Sequence, residues 1–311
     1  MKKPNFFIVG VPKAGTTTIY NYLNMHSEVF MSPIKEPHYF SKDIRCKFFT
    51  QKNCMNACFN LKKYFQSKKL VPKHIAFVEE EEQYLELFRD VLNEKVIGET
   101  STGYLYSKYA AEEIYSFNKD AKILIVLRNP VYRAYSHWKM NLSAGIENIS
   151  ISFIDAIQKD FVSRNKGYCK SHLYVELGQY ANQIKRYMDL FPIENIKIVY
   201  FEDLAKNMQN FMTDIYTFLE LPLIEDVEEV RENVSYMYKY AWLNKIKFLG
   251  ITKYIPKSVK LRVKGKVSST VAFPKLTQED FAYLYLNYYK NEIDLLEKFL
   301  NTDLSSWKNI G

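Results

Sequence analysis

Five short apolar runs alternate with helical patterns along the first two thirds of the chain. They are "NFFIVG" (5–10), "EVFMS" (28–32), "KVIGE" (95–99), "AKILIVL" (121–127) and "IKIVYF" (196–201). Each is apolar on both faces and rich in β-branched or aromatic residues, the pattern of parallel strands covered by helices. "TTTIYNYLNMH" follows the first run and "EEQYLELFRDVLN" precedes the third. "VYRAYSHWKMNL" follows the fourth and "YANQIKRYMDLF" precedes the fifth. The alternation predicts an α/β fold of three layers, a central parallel sheet of about five strands flanked by helices. Ligands of such sheets bind beyond the carboxyl ends of the strands.

The last third changes character. "FMTDIYTFLELP", "YAWLNKIKFLG" and "TQEDFAYLYLNYYKNEIDLLEKFL" are helical by period and predict a helical C-terminal cap. No glycine- or serine-rich linker and no internal repeat divides the chain, so residues 1–311 read as a single domain. Residues 41–80 are lysine-rich and weakly periodic, an expected insertion or flap at the ligand edge. Residues 224–275, with the basic stretch "KSVKLRVKGKVSST", read as a segment covering substrate and cofactor.

Charge narrows the ligand class. The formal net charge of +8 favours anionic ligands. The lysines are spread along the chain without a nucleic-acid-binding module, so no nucleic-acid partner is expected. No apolar run approaches the roughly 18–20 residues of a membrane span, and "NFFIVG" is too short for a signal-peptide core. A cytoplasmic protein follows as the expectation, with Cys46, Cys54, Cys58 and Cys169 as free thiols. Cys54 and Cys58 could share a helix face, although two cysteines without further partners make a weak metal site. The sequence leaves the oligomeric state open.

The first strand runs into "GVPKAGTTT". Gly10 and Gly15 have the spacing of a nucleoside-triphosphate loop, but Thr16 stands where that loop carries its lysine. Lys13 sits inside the loop instead. An ordinary strand-to-helix turn is the plainer reading. Against it, two glycines and three threonines gather where a helix begins and where free backbone N–H groups favour an anion. The fourth strand ends in Arg128-Asn129-Pro130, not in the carboxylate that a triphosphate hydrolase needs for Mg²⁺. No metal site is therefore expected. Arg128 and Ser136 could together grip a second phosphate.

The two segments together resemble the sulfotransferases that use 3′-phosphoadenosine 5′-phosphosulfate (PAPS). That family has a strand followed by Pro-Lys-x-Gly-Thr-Thr, and an Arg-x-Pro with a serine eight residues after the arginine. "SPIKEPHYF" (32–40) is similar to the Lys-Glu-Pro-His-Phe-Phe segment of heparan-sulfate-type carbohydrate enzymes. "GETSTGYL" (98–105), "LGQYANQIKRYMDLFPIENIKIVYFEDL" and "FLNTDLSSW" fall in family order. The resemblance implies a P-loop-like fold and sulfuryl transfer from PAPS, leaving adenosine 3′,5′-bisphosphate (PAP). It implies that the loop Pro12, Lys13, Ala14, Gly15, Thr16, Thr17 and Thr18 holds the 5′-phosphosulfate, with Lys13 at the bridging oxygen. Arg128 and Ser136 would hold the 3′-phosphate, and Lys264, Gly265 and Lys266 would close over it. A cation inside the loop can neutralise the leaving oxygen without a metal, which accounts for the displaced lysine.

The acceptor's proton needs a base, and "KEPHYF" offers Glu36 and His38. Two residues apart on extended chain, they would face one side. The resemblance to carbohydrate-type enzymes selects Glu36, whereas cytosolic small-molecule enzymes use a histidine from another segment. Glu36 could instead pair with Lys35 while His38 packs against the sheet. Glu99, Tyr104 and Tyr180 are further expected acceptor contacts. The acceptor itself stays open between a carbohydrate and a small molecule of natural-product type. A nucleotide kinase or NTPase and a noncatalytic anion-binding protein are the competing functions.

Overall fold

The computed structural model describes residues 2–224, 237–238 and 270–310. In chain order the strands of its main sheet are β1 (Phe6–Ile8), β2 (Val29–Met31), β5 (Val96–Thr100), β6 (Lys122–Leu127) and β7 (Ile196–Tyr200). They lie side by side as β2-β5-β1-β6-β7, all parallel. Every apolar run singled out in the sequence is one of these strands. The central strands β1 and β5 are buried along their whole length, while the edge strands β2 and β7 carry half-buried positions. That difference follows from cover on two faces at the centre and less at the rim.

Helices α1 (Thr16–Leu23), α4 (Glu81–Glu86), α5 (Ala110–Phe117), α6 (Pro130–Ser143), α7 (Phe153–Phe161), α8 (Ala181–Met188), α9 (Phe201–Lys206) and α10 (Met208–Phe218) join and flank the strands. The C-terminal cap is α11 (Gln278–Leu284), one π-turn (Tyr285–Tyr289) and α12 (Lys290–Leu300). Tyr289, buried at that turn, donates to the carbonyls of Tyr174 and Val175 at 3.1 and 3.2 Å. The cap thus holds the 174–175 segment in place. Trp307 reaches further, its carbonyl accepting from Asn129 at the end of β6.

The 41–80 region carries short elements and crosslinks of its own. Two short helices, α2 (Lys52–Met55) and α3 (Lys62–Phe65), lie between β3 (Ile34–Glu36) and β4 (Lys73–Ile75), which pair in parallel as a small second sheet. Ile44, Phe49, Ala57, Phe77 and Cys169 form a satellite apolar core beneath it. The cysteines are not free thiols. Cys46 is bonded to Cys58, and Cys54 to Cys169, 115 residues further on. Neither Cys54 nor Cys58 is therefore available as a metal ligand. Partners this far apart have no spacing signature, so only the fold reveals them. The region is thus tied to Cys169 of the domain, and a crosslink of this kind contributes roughly 2–4 kcal/mol. Among the described residues no helix is long and apolar enough to cross a membrane.

Candidate active site

At the carboxyl end of β1 the backbone leaves the sheet through a loop with no room for side chains at its start. A Cβ on Gly10 would lie 2.2 Å from the Val126 nitrogen, inside the backbone of β6. Two residues then take left-handed backbone, Lys13 at φ 75° and Gly15 at φ 82°. Turns of this sort aim successive N–H groups into one concavity. Gly15 is the N-cap of α1 and brings no side chain to the helix end, so no capping side chain competes there with a ligand for the N–H groups of Thr16 and Thr17. Thr17 is exposed there, while Ala14, Thr16 and Thr18 are buried and Pro12 is half-buried.

Arg128 follows β6 directly and is braced on three sides. Its Nη1 donates to the Lys13 carbonyl at 2.9 Å, and its guanidinium lies 4.3 Å from the Phe201 ring centre. The Tyr180 hydroxyl donates to its carbonyl at 2.8 Å. Asn129 caps α6 by accepting from Val131 and Tyr132, and Pro130 fits the first helical position, which lacks an intrahelical N–H partner anyway. Ser136 is half-buried on α6. The set fits a ligand with two phosphate groups: one cradle of backbone N–H groups beside Lys13, and one arginine held at the neighbouring strand end. Lys264, Gly265 and Lys266 lie outside the described residues.

Glu36 ends β3, almost fully buried, in a cluster drawn from several segments. Lys35 Nζ donates to its Oε1 at 2.8 Å and the Thr102 hydroxyl to its Oε2 at 2.8 Å. His38 Nε2 stands 3.5 Å from Oε2, and His74 Nε2 on β4 3.6 Å from Oε1. Burial alone would raise the carboxyl's pKa. The charge of Lys35, the His38 contact and the charges of His74 and His38 outweigh it and hold the group well below its ordinary value. Glu36 is therefore a carboxylate ready to accept.

His38 sits on the same side of the chain as Glu36 despite its left-handed φ of 53°. It is fully buried, stacked on Phe77 with 4.8 Å between ring centres and edge-on to Tyr104. So Glu36 does pair with Lys35 and His38 does pack, yet both remain in one cluster with Thr102. Glu99, at the end of β5, accepts from Tyr84 at 3.0 Å, Tyr104 at 2.7 Å and Ser101 at 2.7 Å. Burial dominates there and pushes the carboxyl up to about 7, with those three bonds opposing and the Glu36 charge adding. Tyr104 is thus committed to Glu99, and Tyr180 belongs to the Arg128 side and not to the Glu36 cluster.

The two halves meet electrostatically. His74 is held below its ordinary value first by desolvation, against the raising pull of Glu36, with the charges of Lys35 and Lys13 also lowering it. His137 on α6 is held well below, by burial first and then by Arg133, His172 and Lys13. Lys13 is thus close enough to act on both. Thr102, His74, His137 and Tyr168, whose ring is 5.6 Å from His38, were not singled out from sequence. Thr102 lies within "GETSTGYL" and so was in a marked segment. The other three had no signal beyond residue type.

A sulfotransferase-domain family profile matches residues 3–294. The chain belongs to the sulfotransferase family. Carbohydrate sulfotransferase 15 of Rattus norvegicus is 25% identical over 262 residues, covering 73% of this chain and 45% of that protein. The human heparan sulfate glucosamine 3-O-sulfotransferase 3B1 is 24% identical over 222 residues, covering 71% and 47%. The chain therefore spans just under half the length of these curated relatives. Among solved structures, the sulfotransferase from Alicyclobacillus acidocaldarius superposes with a TM-score of 0.69 at 27% identity, covering 99% of this chain and all of that one.

Proposed function

We propose that the protein transfers a sulfuryl group from PAPS to a hydroxyl or amine of a carbohydrate, with Glu36 as the base and Lys13 as the cation at the leaving oxygen. The observation that carries this reading is the buried Glu36, which accepts from Lys35 and Thr102 at the same sheet edge as the phosphate loop. When bound, PAPS supplies the sulfuryl group and departs as PAP. The loop from Pro12 to Thr18 would hold its 5′ end, and Arg128 with Ser136 its 3′-phosphate. Lys13 neutralises charge that grows only as the bond to the leaving oxygen lengthens, which is stabilisation of the transition state and not of the ground state. Glu36 accepts the proton from the attacking group. Its depressed pKa suits a late transfer: as the acceptor atom bonds to sulfur it becomes strongly acidic, and an ionised carboxylate then suffices. His38 and Thr102 hold that carboxylate in place. Glu99 and Tyr104 would support the acceptor side through their shared hydrogen bonds.

The "KEPHYF" segment and the carbohydrate enzymes among the relatives support a carbohydrate acceptor. A cytoplasmic natural-product role is the reading that the two disulfides weigh against, because such bonds persist in oxidising compartments. An acceptor panel incubated with PAPS and read by mass spectrometry tests the class. Gain of one SO₃ on oligosaccharides is expected. Gain confined to small phenols or alcohols would move the assignment to small-molecule sulfation.

A further inference from the structure

A cavity of about 170 Å³ opens between α7, the segment after α6, residues 170–172 and Gln51 of the 41–80 region. Sulfuryl transfer as described leaves it unused. An apolar cavity of about 150 Å³ takes a benzene-sized ligand, so a space of this volume suits a single ring. The lining decides what kind of ring. Ala156 is its one apolar side chain, set among Glu147, Lys159, Asp160, Ser171 and His172. An apolar ligand would leave those donors and acceptors unpaired, whereas a ring edged with hydroxyls satisfies them.

The walls are in place before any ligand arrives. Asp160, buried on α7, accepts from the backbone of His172 at 2.7 Å and of Tyr174 at 3.2 Å. Asn141 donates to His172 Nδ1 at 3.2 Å and to the Tyr174 hydroxyl at 2.7 Å. That hydroxyl donates onward to Glu147 Oε2 at 3.2 Å. With Nδ1 accepting, His172 carries its proton on Nε2, 3.8 Å from the same carboxylate oxygen. On the other side the N–H groups of Thr50 and Gln51 donate to the Cys169 carbonyl at 3.1 and 3.0 Å, and Cys54 is bonded to Cys169. Both carboxylates are thus engaged in the frame, but the two lysines are not. Lys159 is exposed on α7, and the half-buried Lys170 has its ammonium 5.4 Å from the Phe48 ring centre. Among the described residues neither lysine forms an ion pair.

The same stretch of chain reaches the Glu36 cluster. Three residues before Ser171, the Tyr168 ring tilts against that of His38, with 5.6 Å between centres. We propose that the cavity is an acceptor subsite for a sugar ring other than the one sulfated, with Lys159 and Lys170 holding an acidic group on it. This rests on the carbohydrate reading of the acceptor. Glu147, Gln51 and Ser171 take the ring hydroxyls. The acidic group is a uronate carboxylate or an existing sulfate ester, since either offers oxygens to two ammonium groups. Contacts so far from the reacting atoms are alike in ground and transition state, so they lower KM and leave kcat unchanged.

The test compares wild type with Lys159→Ala/Lys170→Ala on three disaccharides: one bearing a uronate, its carboxyl-reduced form, and that reduced form with a sulfate ester on the same ring. Calorimetry on the PAP-loaded protein reads binding, and turnover with PAPS reads KM and kcat. The double variant is expected to weaken binding and raise KM about tenfold for the acidic disaccharides, and less than about twofold for the reduced one. Its kcat and its KM for PAPS should match wild type. A loss confined to the uronate or to the sulfated form supports the subsite and names the group. Equal affinity of both proteins for all three disaccharides, or binding of none, overturns the subsite. An equal loss on all three, the reduced form included, overturns the role of the acidic group. Sulfation of phenols or alcohols and of no carbohydrate overturns the acceptor reading beneath it.

Discussion

The phosphate loop and the Glu36 cluster share one edge of the sheet but are built by opposite means. The loop is local: seven consecutive residues, two left-handed turns and a helix start do the work, and the groups facing the ligand are mostly backbone. Arg128 joins it from the adjacent strand end. The cluster is long-range. Glu36, His74, Thr102 and Tyr168 come from four stretches of chain, and a disulfide spanning 115 residues helps to assemble them. Fixed dipoles in the loop carry no titratable proton, so phosphate binding there should vary little with pH. The cluster is made of ionisable side chains, and its output should follow pH and redox state. One edge thus combines a rigid cofactor half with a tunable acceptor half.

The sharpest break in that contrast is Lys13, the one cation inside the otherwise backbone-built loop. Lys13→Ala is expected to reduce turnover by roughly 10²–10³ with little change in melting temperature. A rise in KM for PAPS at unchanged kcat would make Lys13 a binding charge instead. Arg128→Ala should act more weakly and differently. Loss of a charged hydrogen-bonding group is expected to weaken PAP binding about 10- to 100-fold by calorimetry, equally at pH 6 and pH 8. Retained preference for PAPS over adenosine 5′-phosphosulfate would remove its assignment to the 3′-phosphate.

The smallest effect concerns stability and separates the halves by pH. Glu99 has a folded-state pKa raised to about 7 by burial. Below its ordinary value, near ~4.3, it is protonated in both states and contributes no pH dependence. Between there and about 7 the unfolded chain ionises while the folded chain keeps its proton, so stability falls as pH rises, then levels off. Glu99→Gln should flatten that fall, an effect on the order of 1–3 kcal/mol, seen in urea denaturation at a series of pH values. A parallel pH dependence in both proteins would mean that Glu99 is ionised throughout.

The same contrast decides what could be read from the chain. All five sheet strands were legible because a buried parallel strand is a short continuous apolar run, here rich in β-branched and aromatic residues and set between helical patterns. The loop was legible because its chemistry lies in consecutive residues. Glu36 and His38 were visible in "KEPHYF", and they stand 3.5 Å apart although His38 leaves the extended backbone. The helices Ala110–Phe117 and Phe153–Phe161 were not singled out, and the short pair β3 and β4 has too few residues for a period. Cys169, His74 and Tyr168 could not be placed, because their roles depend on contacts that the fold makes and the sequence spacing does not encode. The cysteines misled for that reason: the free-thiol reading followed from the expected cytoplasmic location, and the fold pairs them.

The central claim is that binding and proton removal are separable at this edge, with Glu36 responsible for the second. The most direct measurement is PAP affinity and PAPS-driven turnover side by side for wild type and Glu36→Gln. The account predicts unchanged PAP affinity together with a fall in kcat of roughly 10²–10⁴. Near-normal turnover in Glu36→Gln, with activity lost instead in His38→Ala, would contradict it and transfer the base to the histidine.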